Sequence, residues 1–215
     1  MGRKERKIAK DLEKKLLKII KDEGKKFDIK KISGFIYKKK GDFFFCSLTD
    51  VVYRNSKFIL KGRIEVKPYK LDDIFWDVFE IPQNKKAPIS LRANGAFVAP
   101  SLTIKLVEVE LSPEDDLKEK CNEFLTIFEE TINSYLEQVN DIESFMKYHK
   151  EEMDEDSDKL ILVLLYILQE KYKEALIIVE NEIKLGKTGG FGAGDKDIYD
   201  FAKEYCEKRL LEIKN

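Results

Sequence analysis

The chain has 215 residues, of which 43% are hydrophobic and 11% aromatic, so it carries enough apolar side chains for a packed core. Charged residues reach 38%, and glycine and proline are few, which argues against a disordered chain. The longest apolar run, Leu160–Leu168, has about half of the ~20 residues that a membrane-spanning helix needs. We expect a cytoplasmic globular protein that makes no contact with a membrane.

Charge is sorted along the sequence, although the net charge is only −1. Residues 1–70 hold 22 Lys and Arg against 9 Asp and Glu, and residues 108–158 hold 4 against 18. The remaining stretches, 71–107 and 159–215, are neutral. A basic and an acidic segment of this size predict that charged faces choose the partner and speed its association.

The start of the chain predicts one amphipathic helix, over 5–23. Its apolar residues recur at three- and four-residue spacing, as a helix with one buried face requires. They are Ile8, Leu12, Leu16, Ile19 and Ile20. Three strands separated by short turns follow. Their predicted bounds are 35–37, 43–53 and 58–67, with turns at 40–42 and 55–56. Apolar residues on both faces of the second strand predict that it is central.

The middle of the chain predicts a helix over 71–81 and a strand over 102–111. The strand is expected to contain a bulge, because its alternation slips after Leu106. The dipeptide Asn94-Gly95 is a hairpin-turn signal.

From Ser112 onward the sequence predicts only helices. Ser112 and Asp115 form a candidate capping box around Pro113. The expected helices cover 113–138, 141–153, 158–169, 172–185 and 196–213. The predicted fold class is α+β, with an N-terminal helix and a mainly antiparallel sheet over 1–112, followed by a helical bundle over 113–215.

Several motifs of catalytic and metal sites fail on inspection. The single histidine, His149, excludes sites that need two imidazoles, and we expect it at the surface or at a boundary. The acidic run 153–158 has Lys159 and Leu165 where a calcium loop needs glycine and glutamate, so it is interpreted as an acidic linker. Asn181 stands where a phosphate-binding loop before Lys187 needs glycine.

Three widely spaced cysteines, Cys46, Cys121 and Cys206, suit a reducing compartment, where each thiol is a small core hydrophobe. Together with the failed motifs, this predicts no catalytic residue, no metal ligand and no cofactor. We therefore expect a protein that is not an enzyme.

One group of residues is a candidate partner-binding site. Trp76 lies beside the apolar stripe of its helix, next to Asp73, and a half-exposed tryptophan in an acidic rim is typical of an interaction anchor. Arg92 and Asn94 could complete a polar site near it. Packing at a domain boundary is the alternative interpretation of Trp76.

The stretch from Gly34 to Ile104 resembles an uncharacterised bacterial family of small α+β domains, with relatives among toxin-immunity proteins. The features that carry the resemblance are GFIYKKKGDFFF, LDDIFWDVF and SLRANGAF. The resemblance implies a non-catalytic binding protein. Separately, residues 160–183 are similar to one tetratricopeptide hairpin, through Tyr172, Ala175 and Leu176. This second similarity implies that two helices pack against each other.

Three functional hypotheses follow, and the third is an enzyme whose unrecognised site would be a deep polar pocket around Trp76 and Arg92. The first is a protein-binding module of accessory or immunity type, whose partner is another protein. The second is nucleic-acid binding by the basic N-terminal region, with aromatic rings stacking on bases. Those rings are Phe43, Phe44, Tyr53 and Tyr69. Against the second stands a simpler interpretation, a solvated lysine face that partly meets the acidic helices. The sequence leaves the oligomeric state open.

Overall fold

A computed structural model describes residues 2–112, 114–155 and 159–214, and its mixed fold, 54% helix and 23% strand, confirms the predicted α+β class. The helices are α1 Arg3–Glu23, α2 Leu71–Val78, α3 Leu91–Asn94, α4 Leu117–Leu136, α5 Ile142–Tyr148, α6 Lys150–Glu155, α7 Leu160–Leu168, α8 Tyr172–Lys184 and α9 Ile198–Lys214. The strands are β1 Lys30–Ile32, β2 Phe35–Lys40, β3 Phe43–Arg54, β4 Lys57–Pro68, β5 Leu102–Leu111, β6 Gly192–Ala193 and β7 Lys196–Asp197.

Strands β1 to β5 form one antiparallel sheet, in the order β1-β2-β3-β4-β5. Strand β3 is central, as predicted, whereas the three-residue strand β1 is not anticipated by any sequence signal. Both predicted turns are present. Gly41 has φ +57°, and Asn55 and Ser56 have φ 51° and 62°, the left-handed values that tight hairpins require.

The chain divides into two compact units. The first comprises Met1–Lys67 with Leu102–Gln138, and the second Pro68–Ser101 with Val139–Asn215. This division differs from the predicted boundary at Ser112. The physical reason is that α4 buries its apolar stripe against α1 and the sheet, so the chain enters the helix without leaving the first unit.

In the first unit, one face of the sheet is covered by helices. Tyr135 of α4 packs edge-on against Phe43 and Phe45 of β3, with ring centroids 6.1 and 5.8 Å apart. Phe124 of α4 lies over Gly62 of β4 so closely that an added Cβ would come within 2.4 Å of its ring. Gly62 is therefore a point of close approach between α4 and the sheet.

In the second unit, α7 is the buried centre. None of its residues is exposed, so this apolar helix is covered on all sides. Helix α8 packs on α7 and α9 on α8. The aromatic rings of Phe75 and Phe79 lie 5.6 Å apart, and Phe191 contacts Phe75 at 4.8 Å.

Two local predictions are wrong. The segment around Asn94-Gly95 is no hairpin, because Leu91–Asn94 is a helical turn and Gly95 has φ −71°, outside the left-handed region. Helix α4 begins at Leu117 with Asp116 as its cap, four residues later than predicted, although Asp115 does accept a hydrogen bond from the Ser112 amide at 2.7 Å.

Other expectations are met only in part or lie outside the described residues. The register shift in β5 falls opposite Ile64 and Glu65, rather than after Leu106. Pro113 and residues 156–158 of the acidic run lie outside the described residues. In the part of the chain that the structure describes, every helix is too short or too polar to cross a lipid bilayer.

Replacing Gly62 by alanine tests the packing of α4 on the sheet. The new Cβ would lie 2.4 Å from the Phe124 ring and 2.8 Å from Ser47 Oγ. We expect Gly62→Ala to lower the free energy of unfolding by about 1–3 kcal/mol, measured by urea denaturation. In a Phe124→Leu background, which removes the ring atoms it meets, the same substitution should cost less. An equal cost in both backgrounds would contradict this packing.

Candidate functional site

Three of the four predicted site residues lie together in the second unit. Arg92 of α3 donates from Nη2 to Asp73 Oδ1 at 2.7 Å, and from Nη1 to the Tyr69 carbonyl at 2.8 Å and to Asp72 Oδ2 at 3.3 Å. Asn94 does not join them. Its side chain is exposed, and its backbone N–H donates to the Ser90 carbonyl at 3.3 Å.

The Arg92 cluster is buried and electrically satisfied. Arg92 is 5% exposed and Asp72 is fully buried, and the second oxygen of Asp72 accepts the Ala99 amide at 2.8 Å. Burial lowers the pKa of Arg92, but the hydrogen bond to Asp73 and the charges of Asp72 and Asp73 outweigh it, so the pKa lies above its usual value. Both terminal nitrogens of Arg92 are engaged, so the cluster presents no open guanidinium to a ligand.

Trp76 completes the cluster as a packing residue. It is 1% exposed, its indole N–H donates to the Phe97 carbonyl at 2.7 Å, and the Arg92 guanidinium lies 4.7 Å from its ring. The expectation of a half-exposed Trp76 is therefore wrong. Its place beside the apolar stripe did not reveal this, because the segment around Phe97 is remote in sequence.

A set of basic side chains on α1, in the first unit, is open. All nine Lys and Arg of this helix are exposed, and none forms an ion pair with a residue in the described ranges. They are Arg3, Lys4, Arg6, Lys7, Lys10, Lys14, Lys15, Lys18 and Lys21. We call them the cationic face of α1.

Part of the cationic face lines a cleft. Arg3, Arg6, Lys7 and Lys10 fall at i, i+3, i+4 and i+7, so they share one side of the helix. Together with Asp50 of β3 they border a cleft of about 650 Å³. These four residues, named the cleft stripe, were not singled out from the sequence, although their spacing is visible there.

Elsewhere in the first unit, acidic residues neutralise the basic ones. Lys38 and Lys40 of β2 both contact Glu129 of α4, at 2.8 and 3.3 Å. Likewise, Lys57 bonds Glu110 of β5 at 2.6 Å. The expectation that lysines partly meet acidic helices is confirmed for β2, whereas the acidic partner of Lys57 lies on a strand. Because the first unit includes residues 102–138, it holds 24 Lys and Arg against 19 Asp and Glu. Its net charge is therefore much smaller than that of residues 1–70.

The aromatic residues of the nucleic-acid hypothesis are already occupied. Phe43 and Phe44 are fully buried, which excludes stacking on bases. The ring of Tyr53 packs on Phe58 at 4.9 Å, and the Arg92 guanidinium covers Tyr69 at 4.0 Å. The basic residues of α1 that would contact phosphates remain exposed, whereas Phe43 and Phe44 are lost as stacking partners.

The potential nucleophiles are buried in the core. All three cysteines are free thiols, and burial raises the pKa of Cys121 and of Cys206 to about 12, so these two are protonated at neutral pH. This confirms that the thiols pack as small hydrophobes.

His149 is also buried, at 4% exposure, so its expected surface position is wrong. Its Nδ1 lies 2.8 Å from Glu152 Oε2, and its ring packs on Phe145. Burial lowers the pKa of His149, and this effect exceeds the opposing contact with Glu152, so the ring is neutral at pH 7. Among the residues that the structure describes, no cluster of histidine, cysteine, aspartate and glutamate side chains is arranged to hold a metal ion.

Comparison of the chain with protein-family models, with curated proteins and with solved structures gives no match.

Removing the guanidinium of Arg92 should destabilise the second unit. Arg92→Met leaves Asp72 buried without its cation, and such a loss costs about 3–5 kcal/mol in the free energy of unfolding. The exposed Asn94→Ala should stay within about 0.5 kcal/mol of the parent protein. Chemical denaturation followed by circular dichroism measures both. Equal stabilities of the two variants would refute the structural role of Arg92.

Proposed function

We propose that the protein is a non-catalytic, cytoplasmic binding module of accessory or immunity type, and that its cleft stripe binds an acidic surface of a partner protein. The observation that carries this proposal is the cationic face of α1, whose basic side chains are exposed and have no ion-pair partner among the described residues. The free thiols support a reducing compartment.

The position of the cleft stripe in its helix supports a binding role. Arg3, Arg6 and Lys7 lie in the first turns of α1, where the helix dipole disfavours positive charge by roughly 0.3–1 kcal/mol per residue. An acidic partner would offset this repulsion. Because Lys38 and Lys40 are paired with α4 and Lys57 with β5, the cationic face is also the larger source of attraction in its unit.

The cleft favours a protein over a nucleic acid as partner. Glu13 and Asp50 border it beside the four cations. Two carboxylates there would repel a phosphate backbone, whereas a protein surface of mixed charge can place a basic group against them. The burial of Phe43 and Phe44 removes base stacking as a second source of affinity.

The expected interaction is fast and sensitive to salt. An exposed ion pair contributes only about 0.2–1 kcal/mol, so affinity requires several of them at once. Long-range attraction by a cluster of cations acts mainly on the association rate and is screened over roughly 8 Å at physiological ionic strength.

A pair of charge-reversal triples tests the proposal with polyglutamate as the probe. Arg6, Lys7 and Lys10 are changed to Glu in the test variant, and Lys4, Lys15 and Lys18, which do not border the cleft, in the matched control. We expect the test triple to bind polyglutamate at least about tenfold more weakly than the control at low salt, by fluorescence anisotropy.

Two outcomes would count against the proposal. Equal loss in both triples would mean that net charge alone, and not the cleft, attracts the probe. Binding of a DNA duplex in the absence of any binding to polyglutamate would favour the nucleic-acid hypothesis. Circular dichroism of both triples checks that α1 is intact.

A further inference from the structure

We propose that the outer edge of β5 accepts an extended peptide as a sixth strand of the sheet, with alternating apolar and basic side chains. This site is separate from the cleft stripe and is carried by a different observation, the length and exposure of the edge strand. The partner class is an unfolded or strand-forming segment of another protein, recognised through its backbone.

The sheet ends in two very different edges. On one side the edge strand β1 has three residues, and on the other side β5 has ten. Short edge strands are a common protection against unwanted pairing, whereas a long edge presents a row of unpaired N–H and C=O groups. The longer edge is therefore the one able to bind another strand.

The backbone of β5 bonds on one side only. Strand β4 pairs with it in a continuous antiparallel register from Phe58↔Leu111 to Ile64↔Lys105. Among residues 2–112, 114–155 and 159–214, no segment other than β4 makes a backbone hydrogen bond to β5. The second row of peptide groups along Lys105–Leu111 is thus available.

Two common obstacles to strand addition, proline and a bulge, are missing from this stretch. Residues 105–111 contain neither proline nor glycine. The register shift lies opposite Ile64 and Glu65, before the regular run begins. The edge also exposes an apolar side chain, Leu106, which is 65% exposed and can contact an added strand.

The two faces of β5 specify the side chains of the incoming strand. Val107 and Val109 lie opposite Gly62 and Leu60 on the helix-covered face, and both are buried. The opposite face carries Leu106, Glu108 and Glu110, all exposed. A neighbouring strand would gain by placing lysines on the face of Leu106 and the two glutamates, where their charges meet the carboxylates and their stems cover Leu106. Its alternate residues, on the face of Val107 and Val109, would then be apolar.

Existing ion pairs leave room for these contacts. Glu108 accepts a hydrogen bond from Arg54, and Glu110 accepts one from Lys57 at 2.6 Å. A carboxylate has about four acceptor sites, so each can take a further donor from a strand on its free side. Both carboxylates remain open to solvent, with side-chain exposures of 37% and 62%.

A basic probe separates this site from the cleft stripe. We choose a short acetylated peptide that alternates lysine and valine, because the cationic face of α1 repels it. A peptide of the same composition, with all lysines before all valines, is the matched control. We expect the alternating peptide to bind the full chain at least about tenfold more tightly than the control, by fluorescence anisotropy.

Backbone methylation of the probe distinguishes strand addition from simple attraction between charges. One peptide is N-methylated at every lysine and a second at every valine, so each loses the donors on one edge and keeps its side chains. We expect one of the two to lose binding and the other to keep it, because an added strand uses one edge.

Any one of three peptide-binding results would overturn the proposal. They are equal binding of the alternating and block peptides, equal binding of the two methylated peptides, and no binding at millimolar peptide. Self-association of the chain through β5 is tested in parallel by sedimentation. A dimer that blocks binding of the alternating peptide would mean that a second copy occupies the edge, which also overturns the proposal.

Discussion

The packing of α4 across the sheet is the interaction on which the rest of the first unit depends. Phe124 of α4 packs directly against Gly62. Any side chain at this position would meet the ring, because its Cβ would lie 2.4 Å away. Once the helix is seated, Glu129 stands within reach of Lys38 and Lys40. One packing arrangement therefore forms the core and, at the same time, offsets part of the positive charge of β2.

The basic residues of α1 and the outer edge of β5 are the parts of this unit that remain available to a partner. The basic residues of α1 point away from its buried stripe of Ala9, Leu16 and Ile20 and keep their full charge. The sheet edge at β5 keeps its second row of peptide groups. In the second unit the opposite holds, because Arg92 and Asp72 satisfy each other inside the core and leave nothing for a ligand.

Sequence patterns predicted the elements well and the tertiary relations poorly, for physical reasons. Turns such as Asn55-Ser56 and the alternation of β4 are local, so a short window contains their cause. The boundary at Ser112 differed because the burial of α4 depends on residues a hundred positions earlier, such as Leu16, whose carbonyl lies 3.7 Å from Cys121 Sγ. Trp76 was misplaced for the same reason, because Arg92 and Phe97, which contact its ring, are remote from it in sequence.

The most direct test of the central claim, that the free charge of α1 selects the partner, is a nuclear magnetic resonance titration of the labelled protein with polyglutamate at low salt. Amide shifts should move along Arg3–Lys10 and at Asp50 and Val51, which border the cleft. The amides of Lys38 and Lys40 should stay in place, because both side chains are already paired with Glu129. Shifts centred on Lys38 and Lys40, or none along α1, would contradict the account.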